Sequence, residues 1–449
     1  MKNDLNHDFA LLATLLAGAW LYLAIDLATL SMGLDGTVYA GIARLLAAGD
    51  GSFWYLPYFD AAVNSFHDHP PLGVWLQGQW FALWGNAFWV ENLWCALLIL
   101  CVIGLTASLW RTIDNSHTVW WPVMILLLMP VATRALKNNT LESLVAILAL
   151  VAVWLAWLGR SRGWANLLVG TVCFIAALVK GPAAVFPLAA PGLLALVVDR
   201  SLTKACKNSA LALAAFTALA LALWASPAAE SIARYFEGQI FASLRGERLI
   251  DHGRLYQLGQ LAVQLGIAGA LGLMAWVSTR SFSMRREALA MMAIGLCGSL
   301  PLLISPRQYN HYLLPSLPFF AISIALLVRP RLPAWPTPVI WCFAALLLTL
   351  GSARFIWHFG SLGKDANELQ STLHIADFAH SAGSETAYYC RPEPVQQAYL
   401  LRHHGMRSRV AAHKDWVVCA ADTDLPGWEA RELLPDGMAI WQRTRQSAK

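Results

Sequence analysis

The chain has 449 residues, of which 57% are hydrophobic and 13% charged, with a formal net charge of +5. A soluble domain carries about 25% charged residues, so this composition excludes an ordinary soluble globular protein. With 21 Trp and repeated apolar runs of roughly 20 residues, the chain reads as a polytopic α-helical membrane protein.

The N-terminal segment, MKNDLNHDFALLATLLAGAWLYLAIDL, is polar and then apolar. It lacks the small-residue cleavage site of a signal peptide and reads as a retained first span. Residues 31–85 follow and contain no long apolar run. They carry Asp35, Tyr39, His67, Asp68 and His69, and a polar, carboxylate-bearing loop set on hydrophobic spans is where chemistry is expected. Val38, Ile42, Leu45 and Leu46 recur at helical spacing between Thr37 and Ala48, ending at Gly49. This predicts a short helix on the membrane surface, and Asp35 at its start would suit a cap. Pro70–Pro71 opens a second one, with Trp75, Leu76, Trp80 and Leu83 on its apolar side. The two surface helices would hold Asp35 and the Asp68–His69 pair at the rim of a cavity.

Further apolar runs place spans at residues 9–30, 88–110, 118–133, 140–159, 164–180, 183–199, 208–226, 257–279, 287–304, 312–328 and 336–357, about eleven in all. Alternate breaks hold Arg111; Arg160 and Arg162; Arg200, Lys204 and Lys207; Arg280, Arg285 and Arg286; Arg329 and Arg331. With Lys2 these fall on one side, which the positive-inside rule makes cytoplasmic. The 31–85 loop, residues 134–139, 227–256 and 305–311, and the tail from 360 then fall outside. Basic residues occur there too, at Lys137, Lys180, Arg234, Arg245, Arg248, Arg254 and Arg307. An anionic ligand at the outer membrane face accounts for the set. Headgroup contacts, or pairing with Glu230, Glu237, Glu247 and Asp251, would account for single members.

Residues 360–449 have a different composition. LQSTLHIADFAHSAG and PEPVQQAYLLRHHG read as helices, and TAYYC, RSRVAA and WVVCA as short strands, in an order that fits a small α/β domain. The domain boundary is placed between 1–358 and 359–449. His403 and His404 read as solvated. Cys95, Cys101, Cys173, Cys297 and Cys342 lie in apolar runs as small hydrophobes, and no metal-ligand spacing is present among the cysteines. Cys390 and Cys419 would pair if the tail lies in an oxidising compartment.

Asp35-Gly-Thr-Val-Tyr39, Asp68-His69-Pro70-Pro71-Leu72, Leu178-Val179-Lys180-Gly181-Pro182 and Arg307-Gln-Tyr-Asn-His-Tyr312-Leu-Leu-Pro315 occur in that order. Together they resemble the GT-C superfamily of membrane glycosyltransferases. Within it they look like the branch of protein O-mannosyltransferases and the bacterial transferase that adds aminoarabinose to lipid A. The family patterns are Asp-Glu-x-x-Tyr, acidic-(His/Lys)-Pro-Pro-Leu, Leu-x-Lys-Gly-Pro and basic-x-x-Tyr-x-Leu-Pro. The resemblance covers residues 9–330. Gly36 stands where the family has its second acid, and Glu142 is a looser match to an acid at the start of a middle span.

The resemblance implies a GT-C fold with a small extracytoplasmic α/β domain, in the bacterial inner membrane. It implies a polyprenyl-phosphate sugar as donor, used on the periplasmic side, and an acceptor that is lipid A, another glycolipid, a glycan or a protein. Nucleic acid is not an expected partner. A divalent metal is compatible with the family, with no ligand set assigned. The chemistry fits: the donor phosphate gains charge as it leaves, and fixed cations stabilise it. Lys180, Arg245, Arg248, Arg307 and His69 are the candidate phosphate contacts, Arg being suited to bidentate binding. A hydroxyl acceptor must lose a proton, which a carboxylate can take. Asp35 is the first choice, with Asp68 and Glu142 as further catalytic candidates. Tyr39, Tyr309, His311 and Tyr312 are candidate substrate contacts. A single base and no enzyme nucleophile would invert the anomeric centre. The rival readings are a secondary transporter, whose charges would run through the bundle, and a non-catalytic scaffold of the same fold.

Overall fold

The computed structural model describes residues 2–61, 65–247, 252–253, 255–280, 282–283, 285–305, 307–330, 335–410 and 415–444, without the side chains of residues 2–5. In chain order the helices are α1 (Lys2–Ala28), α2 (Leu34–Ala47), α3 (Leu72–Trp84), α4 (Val90–Asp114), α5 (Trp120–Leu128), α6 (Pro130–Leu136), α7 (Leu141–Gly159), α8 (Ala165–Lys180) and α9 (Ala190–Val197). They continue with α10 (Leu202–Trp224), α11 (Ala229–Tyr235), α12 (Ala242–Leu244), α13 (Tyr256–Thr279), α14 (Arg286–Ser299), α15 (Leu317–Leu327), α16 (Thr337–His358), α17 (Ala366–Ser381) and α18 (Pro394–Tyr399).

Among the described residues, nine helices are long and apolar enough to cross a membrane. The expected spans at 118–133 and 183–199 are the two that fall short, and proline is the reason in both. Met129 is extended at φ −75° and ψ 113°, so the first run breaks into α5 and α6 at Pro130. The residue before a proline is pushed away from helical geometry, and the proline itself has no N–H to give. The N–H of Val131 finds a partner outside its own run, donating to buried Gln264 Oε1 of α13 at 3.1 Å. In the second run Pro182 and Pro187 leave two 3₁₀ turns, Gly181–Ala184 and Phe186–Ala189, and α9 keeps only eight residues.

The chain packs as two compact units. The first comprises Met1–Leu27, His67–Gly73 and Cys95–Trp357. Here α7 packs on α8, α8 on α10, and α14 on α15. Gly170 permits the α8–α10 approach, because a Cβ there would lie 2.1 Å from the Ala212 carbonyl oxygen. The basic breaks are held by acids. Arg285 and Arg329 converge on the buried Asp114 carboxylate, and Arg160 donates to Asp199 at 2.6 Å.

The second unit comprises Ala28–Phe66, Val74–Trp94 and His358–Lys449. It differs from the expected cut between 358 and 359, because part of the 31–85 loop and the start of α4 pack with the tail. α2 packs on α18 and on the turn Leu400–His404 that follows it. Arg402 on that turn is 2% exposed and donates to both Glu91 oxygens at 2.6 and 2.5 Å, to Asn86 Oδ1 at 3.0 Å and to the Ala87 carbonyl at 2.8 Å. A buried charge must be satisfied on all sides, which explains why these segments hold together.

The tail sheet has five strands in the order β2-β1-β3-β5-β4. They are β1 (Thr386–Tyr389), β2 (Arg407–Val410), β3 (Trp416–Ala420), β4 (Trp428–Leu433) and β5 (Met438–Arg443), with β1 parallel to β2 and β3 and the last three antiparallel. The three strands expected from sequence are β1–β3. The edge strand β4, WEAREL, is charged and largely exposed, so its sequence looks like a loop. Cys390 and Cys419 form a disulfide.

The expectation that His403 and His404 are solvated is not met. His403 stacks on Tyr399 with ring centroids 5.8 Å apart. Burial, followed by Arg402, His404 and Arg44, pushes its pKa down to about 3, against an unfolded value of about 6.5. Burial lowers His404 too. Between those pH values the unfolded chain binds more protons, so stability falls as the pH drops below about 6.5. At about pH 5 the His403 part of the loss is expected to be about 1–2 kcal/mol, allowing for partial exposure. His403→Phe keeps the stack and removes this part. Hydrogen exchange in β1 and β3 at neutral pH and at about pH 5 reads the difference. Equal acid sensitivity in both proteins would refute the assignment.

Candidate functional site

The first unit contains a cavity of about 330 Å³ whose polar lining comes from separate chain segments. Asp68 and His69 come from the segment before α3, Glu142 from the first turn of α7, and Lys180 from the last residue of α8. Tyr235, Gln239 and Ser243 come from the α11–α12 stretch, and Arg307 and Tyr312 from the break before α15. Pro182, Ala184, Phe186 and Pro301 form an apolar wall.

The local sequence explains how Lys180 is placed. α8 stops there because Gly181 has φ +71° and ψ −151°, a region essentially reserved for glycine. The hydroxyl of buried Tyr235 would lie 2.0 Å from a Cβ at this position. Gly181→Ala is therefore expected to cost at least about 1–3 kcal/mol from the backbone alone, with the Tyr235 clash added. Thermal unfolding in detergent checks this, and a variant as stable as the parent would contradict it.

Lys180 Nζ donates to Glu142 Oε1 and lies 4.5 Å from the centre of the Tyr312 ring. The two side chains are 10% and 2% exposed, so this is a buried pair. His311 Nε2 is 3.4 Å from the same Glu142 oxygen. The His311 ring stacks on Tyr309 at 5.5 Å and meets Tyr312 edge-on at 4.8 Å. On the opposite segment, Gln239 Nε2 donates to Asp68 Oδ1 at 2.6 Å. Burial, then the charge of Arg234, makes His67 less basic than an ordinary histidine.

The structure thus gathers Asp68, His69, Glu142, Lys180, Arg307 and Tyr312 into one cavity, with His311 and Tyr309 next to Glu142 and Tyr312. Arg245 departs from its expected role. It is half exposed and bonded to Glu237 and Glu247, each at 2.7 Å, which is the ion-pairing alternative for this residue. Arg248 lies outside the described residues. Asp35 belongs to the second unit, exposed in the first turn of α2, whose cap is Gly33, with no side-chain capping bond. Tyr39 is 4% exposed and meets Phe66 edge-on at 6.4 Å, so it serves that unit's core and not a substrate surface.

Sequence reasoning missed Gln239, Tyr235 and Ser243 because they are uncharged. Their spacing of four residues, which puts them on one side of a helix, was the available signal. Among the described residues no group of three or more His, Cys, Asp or Glu side chains is placed to hold a metal ion.

Residues 68–226 match the family model described as dolichyl-phosphate-mannose-protein mannosyltransferase. No curated protein matches the chain. Among solved structures it is similar to ArnT from Cupriavidus metallidurans in the apo state, with 15% identity over 94% of this chain and 95% of that one and a TM-score of 0.63. It is similar also to ArnT from the same organism bound to undecaprenyl phosphate, with 15% identity over 98% and 99% of the two chains and a TM-score of 0.65. The chain has the fold of these structures, and it is a multi-pass helical membrane protein.

Proposed function

We propose that this protein transfers a sugar from a polyprenyl-phosphate donor to an envelope acceptor on the outer side of the bacterial inner membrane. The observation that carries the reading is the cavity that brings Lys180, Arg307 and His69 together with Asp68 and Glu142. The undecaprenyl phosphate bound by the structurally similar ArnT supports a lipid-linked donor. Lys180 and Arg307 hold the donor phosphate, and Tyr312 covers the Lys180 ammonium from one side. The acceptor oxygen bonds to the anomeric carbon as the bond from that carbon to the phosphate oxygen breaks, its electron pair leaving with the phosphate. The same cations stabilise the charge that builds there. The base proposed for the acceptor proton is Asp35, which is exposed in the first turn of α2. One displacement inverts the anomeric centre. Glu142 holds Lys180 in place and is not the base in this scheme.

Sidedness follows from the Arg/Lys breaks, and the Cys390–Cys419 disulfide suits an oxidising compartment for the tail. The acceptor is a glycolipid, lipid A included, a glycan or a protein. The test compares glycolipids and glycans, by mass spectrometry, from envelopes with and without the protein. A species that is one sugar heavier and depends on the protein is expected. Identical envelopes, together with no transfer from any polyprenyl-phosphate sugar by the protein in nanodiscs, would overturn the reading.

A further inference from the structure

We infer that Asp68 and Gln239 form the part of the cavity that reads the donor sugar, a site distinct from the cations that take its phosphate. This rests on the donor class proposed above and adds a specificity determinant to it. Asp68 and Gln239 both line the cavity and are joined by the 2.6 Å bond from Gln239 Nε2 to Asp68 Oδ1. A carboxylate repels a phosphate; Glu142 is bonded to the Lys180 ammonium, whereas Asp68 is bonded to the neutral Gln239 amide. The cationic contributors, Lys180 and Arg307, come from different elements, α8 and the break before α15.

The chemistry of the pair matches a polyol. An ionised carboxylate offers about four acceptor sites, and a primary amide has two donor hydrogens and a carbonyl acceptor. Vicinal hydroxyls, each a donor and an acceptor, are the complement of such a pair. The hydrogen bond donated by the Gln239 amide also fixes the carboxylate, so that a sugar meets a preset geometry. The backbone points the same way. Gln239 sits in a π-helical turn, Phe236–Phe241, inserted between α11 and α12. Such turns are rare and cluster at functional sites. This one lies where Tyr235, Gln239, Ile240 and Ser243 all reach the cavity wall.

The test uses the full-length protein in nanodiscs and four probes: undecaprenyl phosphate and its glucosyl, mannosyl and 4-amino-4-deoxyarabinosyl esters. The parent protein should prefer one ester over the others. Asp68→Asn and Gln239→Leu should each reduce that preference by about 10–100-fold, the worth of a lost hydrogen bond in a desolvated site. Both should bind undecaprenyl phosphate within a few-fold of the parent, which also shows that they are folded. Gln239→Glu keeps the size, adds a second carboxylate, and should move the preference toward the amino sugar. The inference is overturned if the parent does not discriminate among the esters, or if both variants keep its full preference. Failure of the parent to bind undecaprenyl phosphate or any ester would instead overturn the donor class.

Discussion

Asp35→Asn is expected to lower turnover by about 10²–10⁴-fold while donor binding survives, since that is the usual worth of a general base. Asparagine keeps the size of the side chain, can still accept a bond through its amide oxygen, and leaves the Gly33 cap of α2 in place. The helix should therefore persist, and the loss should lie in kcat. Transfer from a synthetic polyprenyl-phosphate sugar, with donor affinity measured separately, tells the two apart. Near-parental turnover in the folded variant would remove the base role from Asp35. It would leave Asp68 as the carboxylate in the cavity that is bonded to a neutral amide, whereas Glu142 is bonded to a cation. An acceptor phosphate, which needs no base, would give the same result.

Much of the site was legible because its residues sit at punctuation marks. Lys180 precedes Gly181 and Pro182, where a helix must stop, and the helix α3 begins at Leu72, just after Pro70–Pro71. A charged residue next to such a mark is placed by the backbone, and a linear reading can find it. Glu142, in the first turn of α7 after the extended Thr140, was picked out only as a looser match to the acid that the resembled family has at the start of a middle span. The apolar runs located the spans wherever no proline interrupted them.

The unread parts depend on residues far apart in sequence. Arg402 and Glu91 are 311 positions apart, and the bond between them helps to group the start of α4 with the tail. No period or motif announces such a pair, so a cut after His358 looked natural. The strand β4 was missed because it is a charged, exposed edge strand. Arg245 was counted among phosphate contacts on charge alone. Glu237 and Glu247, near it in sequence, were the competing explanation, and they hold it at the surface.

The buried Lys180–Glu142 pair should behave as a unit in stability and as separate residues in function. Glu142→Gln leaves the Lys180 ammonium buried without its counter-charge, and Lys180→Met leaves the Glu142 carboxylate in the same state. Each single change is expected to cost about 3–5 kcal/mol, the usual result of removing one member of a buried ion pair. The double variant Lys180→Met/Glu142→Gln has no buried charge at this place and should recover most of that loss, because the desolvation cost of two ions disappears with their attraction. Donor binding should divide the variants differently. It should fall in both proteins lacking Lys180, the stable double variant included, since the phosphate contact is made before and during the reaction. In Glu142→Gln it should survive at temperatures where the protein stays folded, because the cation is retained. Thermal unfolding in detergent and titration with undecaprenyl phosphate supply the measurements. A double variant as unstable as the singles would show that the two residues serve different structural contacts, and undiminished binding in it would remove Lys180 from the phosphate site.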